Sequence, residues 1–299
     1  MHSAPQLSVI ICSISPEKAE NCVELLRYNS TMEIEAIVVD NRTASKPLAH
    51  VYNEAAMQAS APNLLFIHED VEIRSAGWVE VLIDKLSQSS TGVIGFAGST
   101  IRVPVPSGWD QGAPSCLRAS LRHIEDGELR EVSFGLVEGE IFRPVITLDG
   151  LALAVRREVW SRHPFDQTLL QGFHCYDIDF SVAIAQAGYT NYVMYGVDVL
   201  HLSAGSYNAK WVESTISCFR RKWNQIPPLS IATLNNSDIN DFSCQALYRF
   251  ISKAIKQHIN RTDLKYLFNL YRHQSHTSNK FYRHLATLLW QYLRYSHQK

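Results

Sequence analysis

Short apolar runs alternate with segments of helical periodicity through the first hundred residues. The run LSVIIC at 7–12 is rich in β-branched residues, as expected for a strand that is buried on both faces. Ser15-Pro16-Glu17 is typical of a helix start, because proline fits the first turn and an acid stabilises the positive end of the dipole. This alternation predicts an α/β fold, a mostly parallel sheet flanked by helices. The predicted strands are 7–12, 35–40, 64–68 and 93–98, and the predicted helices begin at 16 or occupy 48–60 and 78–86.

The pattern loosens between 100 and 148, where prolines and glycines punctuate a loop. Asp126-Gly127 predicts a hairpin turn in this segment. Long irregular excursions inside compact domains are commonly functional or mobile. The hairpin strands are predicted within this segment, at 119–125 and 128–137. After residue 148 the pattern predicts a strand at 151–155, helices at 157–162 and 177–187, and a β-like run at 192–200.

Only helical periodicity remains beyond residue 207. We therefore predict two parts, a Rossmann-like α/β domain at 1–206 and a helical extension at 207–299. The predicted helical extension rests on two apolar stripes at helical spacing. One consists of Leu247, Phe250, Ile251, Ala254, Ile255 and Ile259, and the other of Phe281, Leu285, Leu288, Leu289 and Tyr292.

The charge changes sign between the two parts, although the whole chain has a net charge of -1. Residues 1–206 contain 14 Lys and Arg against 25 Asp and Glu, a difference of -11. Residues 207–299 contain the remaining 14 against 4, a difference of +10. An acidic first part and a basic second part suggest different partners for the two.

Several classes of protein are excluded by what the sequence lacks. The first thirteen residues have no basic segment and too short an apolar run for a signal peptide. No apolar stretch reaches the ~18 residues of a membrane-spanning helix. The six cysteines are scattered without a CxxC pair, which excludes the common zinc and redox motifs. We expect a cytoplasmic protein with reduced thiols.

Polar side chains follow the apolar runs directly, at the positions where ligands bind in open α/β sheets. Ser13, Asp40 and the triplet His68-Glu69-Asp70 are examples. Carboxylate oxygens suit Mg²⁺ or Mn²⁺, and an imidazole suits Mn²⁺ better. The loop at 13–16 has no glycine, which excludes a dinucleotide fingerprint and a P-loop. Any phosphate must therefore be met by a metal and by side chains.

The second half of the domain adds Asp149, Asp177 and His201 at comparable positions. Each candidate has a structural alternative. An acid such as Asp177 stabilises the first turn of a helix, and a lone histidine after a strand is more often structural than a ligand. Ser13 and Asn41 are also common turn residues.

Seven segments, in order, resemble the inverting family 2 glycosyltransferases, which have the nucleotide-sugar-binding A-type fold. The branch that this chain resembles has a metal motif His-x-Asp-Val in place of Asp-x-Asp. The resemblance covers about residues 7–206 and does not include 207–299. The segments are LSVIICS, IVVDNR, YNEA, LLFIHEDVEI with GW at 77–78, LDGLALAVRREVW, FHCYDIDFSVAIAQAGY and VLHLSAGS.

The resemblance implies a donor site with a divalent cation, Mn²⁺ or Mg²⁺. Asp70 would bind the metal on the donor diphosphate, and His201 would help to bind the diphosphate or the metal. Ser13 and Asp40 would hold the base and the ribose of the nucleotide. The donor-binding residues implied in this way are Ser13, Asp40, Arg42, Asn53, Glu69 and Asp70.

The resemblance also implies the catalytic side of the site. Asp177 would be the general base of an acidic pair, whose first position is Tyr176 in this chain instead of glutamate. Asp149 and His174 would lie near the acceptor or the sugar. The implied reaction is a metal-assisted single displacement at the anomeric carbon, in which Asp177 accepts the proton of the attacking hydroxyl.

The implied partners are a nucleotide-sugar donor, with UDP favoured over GDP or dTDP, and a glycan or lipid-linked glycan acceptor. Two other classes stay open: a catalytically silent module that binds nucleotide sugars or glycans, and a sugar nucleotidyltransferase, although 13–16 lacks the glycine-rich loop of the latter. We expect the basic segment 207–299 either to pack on the acidic domain or to dock on an anionic acceptor or the inner face of a membrane. Nucleic acid is not an expected partner.

Overall fold

The computed structural model describes residues 4–110, 112–203, 205, 207–275 and 281–296. Its strands form a central sheet of seven, a second sheet of six and a two-stranded ribbon. The strands are β1 (Leu7–Ser13), β2 (Ile34–Asp40), β3 (Asn63–Ile67), β4 (Val71–Ile73), β5 (Thr91–Gly95), β6 (Ala97–Ser99), β7 (Ile101–Arg102), β8 (Leu117–Glu125), β9 (Glu128–Phe134), β10 (Phe142–Val145), β11 (Thr147–Leu148), β12 (Ala152–Arg156), β13 (Thr190–Met194), β14 (Val199–His201) and β15 (Leu229–Ser230).

The helices follow the periodicity of the sequence. In the first part the long ones connect strands of the central sheet, and after residue 207 four helices succeed one another. They are α1 (Pro16–Tyr28), α2 (Leu48–Gln58), α3 (Trp78–Ser87), α4 (Arg157–Arg162), α5 (Tyr176–Gln186), α6 (Ala209–Arg221), α7 (Asn236–Lys256), α8 (Arg261–Ser275) and α9 (Phe281–Ser296).

The central sheet has the order β10-β13-β5-β12-β3-β1-β2. β1 is parallel to β2 and to β3, and β13 is parallel to β5. β12 lies antiparallel between β3 and β5, with Ala152 opposite Ile67 and Ala154 opposite Ile94. The antiparallel β10 forms one edge. Five of the seven strands thus run in one direction, which confirms the predicted mostly parallel sheet.

Each central strand buries alternate side chains on opposite faces of the sheet, as the pleat requires. On one face, Ile10 and Phe66 share a core with Tyr52 of α2 and Phe180 of α5. On the other face, Val9 and Leu65 pack with the buried sides of α1 and α3. The apolar character of both sets explains why the strands appear in the sequence as continuous runs. The predicted helices on both faces are confirmed.

Two predicted strands are each divided in the structure. The run at 93–98 is split between β5 and β6, and the run at 192–200 is split between β13 and β14. In the second case the chain turns at Gly196, whose φ of 76° lies in the left-handed region that favours glycine. β14 then leaves the central sheet and pairs with β4 and β8 of the second sheet. This departure carries His201 towards the end of β3.

The hairpin of β8 and β9 turns at Asp126-Gly127, as predicted, and belongs to the second sheet. That sheet has the order β11-β6-β8-β14-β4, with β9 beside β8. β4 and β14 lie together at its end, where Val71 is opposite His201. The second sheet therefore supports the edge at which the central strands end.

The helices after residue 207 share one core with the loop at 101–116. Leu247, Phe250 and Ile251 of α7 pack in this core with Val103 and Val105. The predicted stripe of α7 is therefore buried. The predicted domain boundary at 206 stays a prediction.

The stripe predicted on α9 is correct in part. Phe281 and Leu288 are buried, whereas Leu289 is 48% exposed. Tyr282, Trp290 and Leu293 are also exposed, so part of the apolar surface of α9 faces outward. No helix within the described residues is long and apolar enough to cross a membrane.

Candidate active site

Three potential metal ligands meet where β3 ends and β14 ends. His68 and Asp70 lie in the short connection from β3 to β4, and the pairing of β4 with β14 brings His201 beside them. His201 Nε2 lies 3.2 Å from Asp70 Oδ1. One ligand atom from each of the three residues lies within 4.8 Å of those of the other two. We call His68, Asp70 and His201 the ligand cluster.

The protonation states of His68 and Asp70 suit a divalent cation. Burial and the neighbouring charge of His201 lower the pKa of His68, so its imidazole is neutral and retains a lone pair. Burial acts to raise the pKa of Asp70, but the hydrogen bond and charge of His201 outweigh it and keep that pKa well below its usual value. A carboxylate with two imidazoles fits Mn²⁺ better than Mg²⁺. His68 is the histidine of the His-x-Asp-Val motif, although only Asp70 and His201 were predicted as ligands.

A tyrosine fixes the orientation of His68. Tyr176 Oη lies 2.6 Å from His68 Nε2 and donates a hydrogen bond to the carbonyl oxygen of Gly150 at 2.9 Å. Because a phenol carries a single proton, Tyr176 accepts from the Nε2–H of His68, and Nδ1 keeps the lone pair. A Cβ at Gly150 would lie 2.2 Å from Tyr176 Oη, so only glycine fits there.

Asp177 follows Tyr176 directly, in the first turn of α5. Burial and the charge of Asp149 raise the pKa of Asp177 from 3.8 to about 7, against the lowering effect of nearby backbone N–H groups. The pKa of Asp177 is therefore set by burial and by Asp149, which outweigh the effect of the helix terminus. Asp149 precedes β12 and accepts from the N–H of Leu151 at 2.9 Å. A carboxyl group with a pKa near 7 is suited to general-base catalysis at neutral pH.

Glu69 ties together the loops that follow β1 and β3. Its Oε2 accepts from Ser13 Oγ at 2.6 Å, from the N–H of Ile14 at 3.0 Å and from the N–H of Ser15 at 2.9 Å. Glu69 and Ser13 are thus adjacent, as the implied donor site requires. In this arrangement Glu69 shapes the loop beside the donor site and is not part of the ligand cluster.

Asp40 and Arg42 form a forked ion pair at the end of β2. Arg42 Nε donates to Asp40 Oδ1 at 2.9 Å, and Nη2 donates to Oδ2 at 2.5 Å. The hydrogen bonds and charge of Arg42 lower the pKa of Asp40 to about 2. Both side chains are exposed, so they are accessible to a nucleotide.

The structure gives Asn53 a packing role that differs from the implied donor contact. Its side chain is 6% exposed. Nδ2 donates to the carbonyl oxygen of Phe165 at 2.8 Å, while Oδ1 accepts from the N–H of Phe165 and from Trp160 Nε1. These bonds already occupy the buried amide, and the donor contact implied for Asn53 stays a prediction. His174 is half-buried near Lys210, and its role at the acceptor stays a prediction.

Comparison with known proteins agrees with this geometry. A sequence model of a glycosyltransferase-like family matches residues 8–221. No curated protein sequence matches the chain. Among solved structures, GalNAc-T7 with UDP, GalNAc and Mn²⁺ gives a TM-score of 0.52 at 12% identity, covering 95% of this chain and 57% of that one. The mannosyltransferase PcManGT from Pyrobaculum calidifontis, in complex with GDP-Man and Mn²⁺, gives 0.50 at 12% identity, covering 99% and 87%.

At 12% identity the structural likeness concerns the fold, which is the A-type fold of glycosyltransferases. The chain spans 57% of the GalNAc-T7 chain, so the activity of that whole protein does not transfer to it. The family match covers most of the first part of this chain and extends into α6. The chain belongs to the glycosyltransferase-like family, as the order of its seven segments predicted.

Proposed function

We propose that this protein transfers a sugar from a nucleotide-sugar donor, preferably a UDP-sugar, to a glycan or lipid-linked glycan acceptor with inversion at the anomeric carbon. One observation carries the proposal. Asp177, with its pKa of about 7, adjoins Tyr176, which contacts His68 of the ligand cluster. A proton acceptor and a set of metal ligands therefore lie at the same edge of the sheet, where A-type enzymes need both.

The residues divide the reaction between them. The Asp177 carboxylate accepts the proton of the acceptor hydroxyl while that oxygen bonds to the anomeric carbon and the bond to the diphosphate oxygen breaks. One displacement inverts the configuration, so no second catalytic carboxylate is needed. A divalent cation held by His68, Asp70 and His201 would supply Lewis-acid stabilisation of the diphosphate. Ser13, with Asp40 and Arg42, orients the nucleotide.

A thermal-shift screen tests the donor. We expect a UDP-sugar with Mn²⁺ to stabilise the protein by about 2.7 kcal/mol at a hundred times its Kd. GDP- and dTDP-sugars at the same concentration should stabilise it less. Asp70→Asn should remove the Mn²⁺-dependent part of the shift, and the adjacent Glu69→Gln should retain it. If no nucleotide sugar shifts the melting temperature in the presence of Mn²⁺, the donor proposal is wrong.

The products separate the two alternative classes. A glycosyltransferase releases a nucleoside diphosphate from the sugar nucleotide, whereas a sugar nucleotidyltransferase forms pyrophosphate from a nucleoside triphosphate. A silent binding module releases neither. Chromatography of the nucleotide products after incubation with donor and glycan acceptors therefore decides among them.

We also propose that the protein works at the inner face of the cytoplasmic membrane. The exposed apolar residues of α9, Tyr282, Leu289, Trp290 and Leu293, recur at helical spacing. Arg283 and Arg294 are exposed on the same helix. Aromatic side chains with flanking cations are typical of helices that lie in the interface of an anionic membrane.

A further inference from the structure

A cavity of about 230 Å³ lies between the segment at 107–110, α6 and α7. It is separate from the ligand cluster. Its polar lining comes from Asp110 on one side and from α7 on the other, and Trp211 of α6 supplies an aromatic wall. The α7 residues in the lining include three cations, Arg249, Lys253 and Lys256.

These cations outnumber the acids of the cavity. Lys253 Nζ lies 3.4 Å from the ring centroid of Tyr207 and 5.3 Å from that of Trp211. Arg249 Nη1 donates to the carbonyl oxygen of Gly112 at 3.3 Å. Over the described part of the chain, the ion pairs made by cations after residue 207 involve Arg220 and Lys222 and none of the three cavity cations. A half-buried lysine held by rings is poorly compensated in charge and attracts an anion.

Asp110 is the acid of the cavity lining. Burial raises the pKa of Asp110 above its usual value, although the charge of Lys253 acts against this. A carboxyl group with a raised pKa takes up a proton more readily, and in its protonated form it can donate a hydrogen bond to a phosphate oxygen.

Tyr207 links the cavity to the proposed base. The ammonium group of Lys253 lies over one face of the Tyr207 ring. Burial raises the pKa of Tyr207, and so do the charges of Asp110, Asp149 and Asp177. Tyr207 is therefore close to both the cavity acid and the catalytic carboxylates.

We propose that this cavity binds a phosphate or diphosphate group of the acceptor and so presents the acceptor hydroxyl to Asp177. The proposal rests on the proposed transferase function and names the class of its acceptor. Lysine offers a point charge and arginine a planar pair of donors, and phosphate oxygens accept from both. The three cations lie beyond residue 221, where the family match ends.

Inorganic pyrophosphate is the probe, titrated calorimetrically into the full chain without divalent metal. We expect Lys253→Gln and Arg249→Gln each to raise the Kd about tenfold or more, because each removes a charge-assisted contact. Lys256→Gln, which changes an exposed side chain, should raise it less while keeping the fold. The matched control is Lys265→Gln, an exposed cation of α8 outside the cavity lining, which should leave the Kd unchanged.

Asp70→Ala separates this proposal from the donor site. It should retain pyrophosphate binding and lose Mn²⁺-dependent UDP binding. If pyrophosphate binding is lost in Asp70→Ala, or is unchanged in both Lys253→Gln and Arg249→Gln, the cavity proposal is overturned while the transferase proposal stands. If wild-type protein binds pyrophosphate through the cavity but never binds UDP with Mn²⁺, the transferase proposal fails instead.

The source of the phosphate is tested on the same protein. A short-chain prenyl diphosphate that binds more tightly than pyrophosphate supports a lipid-linked acceptor. Equal binding of the two supports a soluble phosphorylated glycan. Failure of pyrophosphate, prenyl diphosphate and glycerol phosphate alike to bind the wild-type protein overturns the assignment.

Discussion

Tyr176, fixed by its own hydrogen bond to the backbone carbonyl of Gly150, accepts a hydrogen bond from His68 Nε2. This bond determines which nitrogen of His68 faces the remaining ligands, and partners of this kind commonly contribute 10–100-fold to metal affinity. We expect Tyr176→Phe to weaken Mn²⁺ binding by about that factor, measured by titration calorimetry. Tyr28→Phe, at an exposed position, is the control. Equal Mn²⁺ affinity in wild type and Tyr176→Phe would show that His68 needs no such support.

Asp177→Asn removes the proposed proton acceptor without changing the size of the side chain. We expect kcat to fall by about 10²–10⁴-fold and UDP binding to stay unchanged. In the wild type, kcat/KM should rise with pH through about 7, as the carboxyl group loses its proton. Steady-state rates across this pH range check both expectations. Turnover near the wild-type value in Asp177→Asn would exclude this residue as the base.

The same substitution should change stability in a pH-dependent way. In the unfolded chain Asp177 ionises near 3.8, and in the folded protein near 7, so the folded state binds the proton more tightly. The native state therefore loses stability as the pH rises between these values, and asparagine does not share the loss. We expect Asp177→Asn to be more stable than wild type above pH 7, by about 4 kcal/mol, with the advantage absent near pH 4. Denaturant unfolding at the two pH values measures it.

At the scale of elements, the outward face of α9 carries the membrane proposal. Each cation near an anionic surface contributes about 1 kcal/mol, so reversing Arg283 and Arg294 to glutamate should strongly reduce binding to phosphatidylglycerol vesicles at low salt. Replacing Trp290 with alanine should also reduce vesicle binding, because it removes exposed apolar surface from α9. Charge reversal at Arg130, on the exposed β9, is the control. Flotation of wild-type protein with neutral vesicles only, or with none, would contradict the proposal.

The elements differ in how far sequence patterns could predict them. The run that forms β1 is apolar on both faces, so its burial follows from composition alone. The division of 192–200 was not predicted, because apolar periodicity continues across Gly196 while the backbone changes direction there. His201 reaches Asp70 only through this change of sheet. The packing contacts of Asn53 were not predicted for a related reason: its hydrogen-bond partner Phe165 is 112 residues away.

At the scale of the whole molecule, the two charge regions take on different roles under the two proposals. The acidic first part carries the ligand cluster and Asp177, and the basic second part carries the phosphate cavity and α9. Donor chemistry thus resides within the family match, and acceptor presentation resides largely beyond it. Sequence patterns could predict the residues proposed for donor chemistry, since these residues directly follow strands. They could not predict the cavity, because 107–110 and α7 are far apart in sequence.

The position of β12 also has a consequence for biosynthesis. In the central sheet β5 has β12 and β13 as its neighbours, and both lie later in the chain. A ribosome that has released only residues 1–100 therefore exposes β5 without a partner and β3 with one open edge, the kind of intermediate that aggregates or engages chaperones. Insertion of β12 joins β3 to β5 and carries Asp149-Gly150 to the ends of the parallel strands, while the second edge of β5 is closed only by β13. The chain that follows β12 also brings in Asp177 and His201, so the sheet and its catalytic edge are both completed late in synthesis.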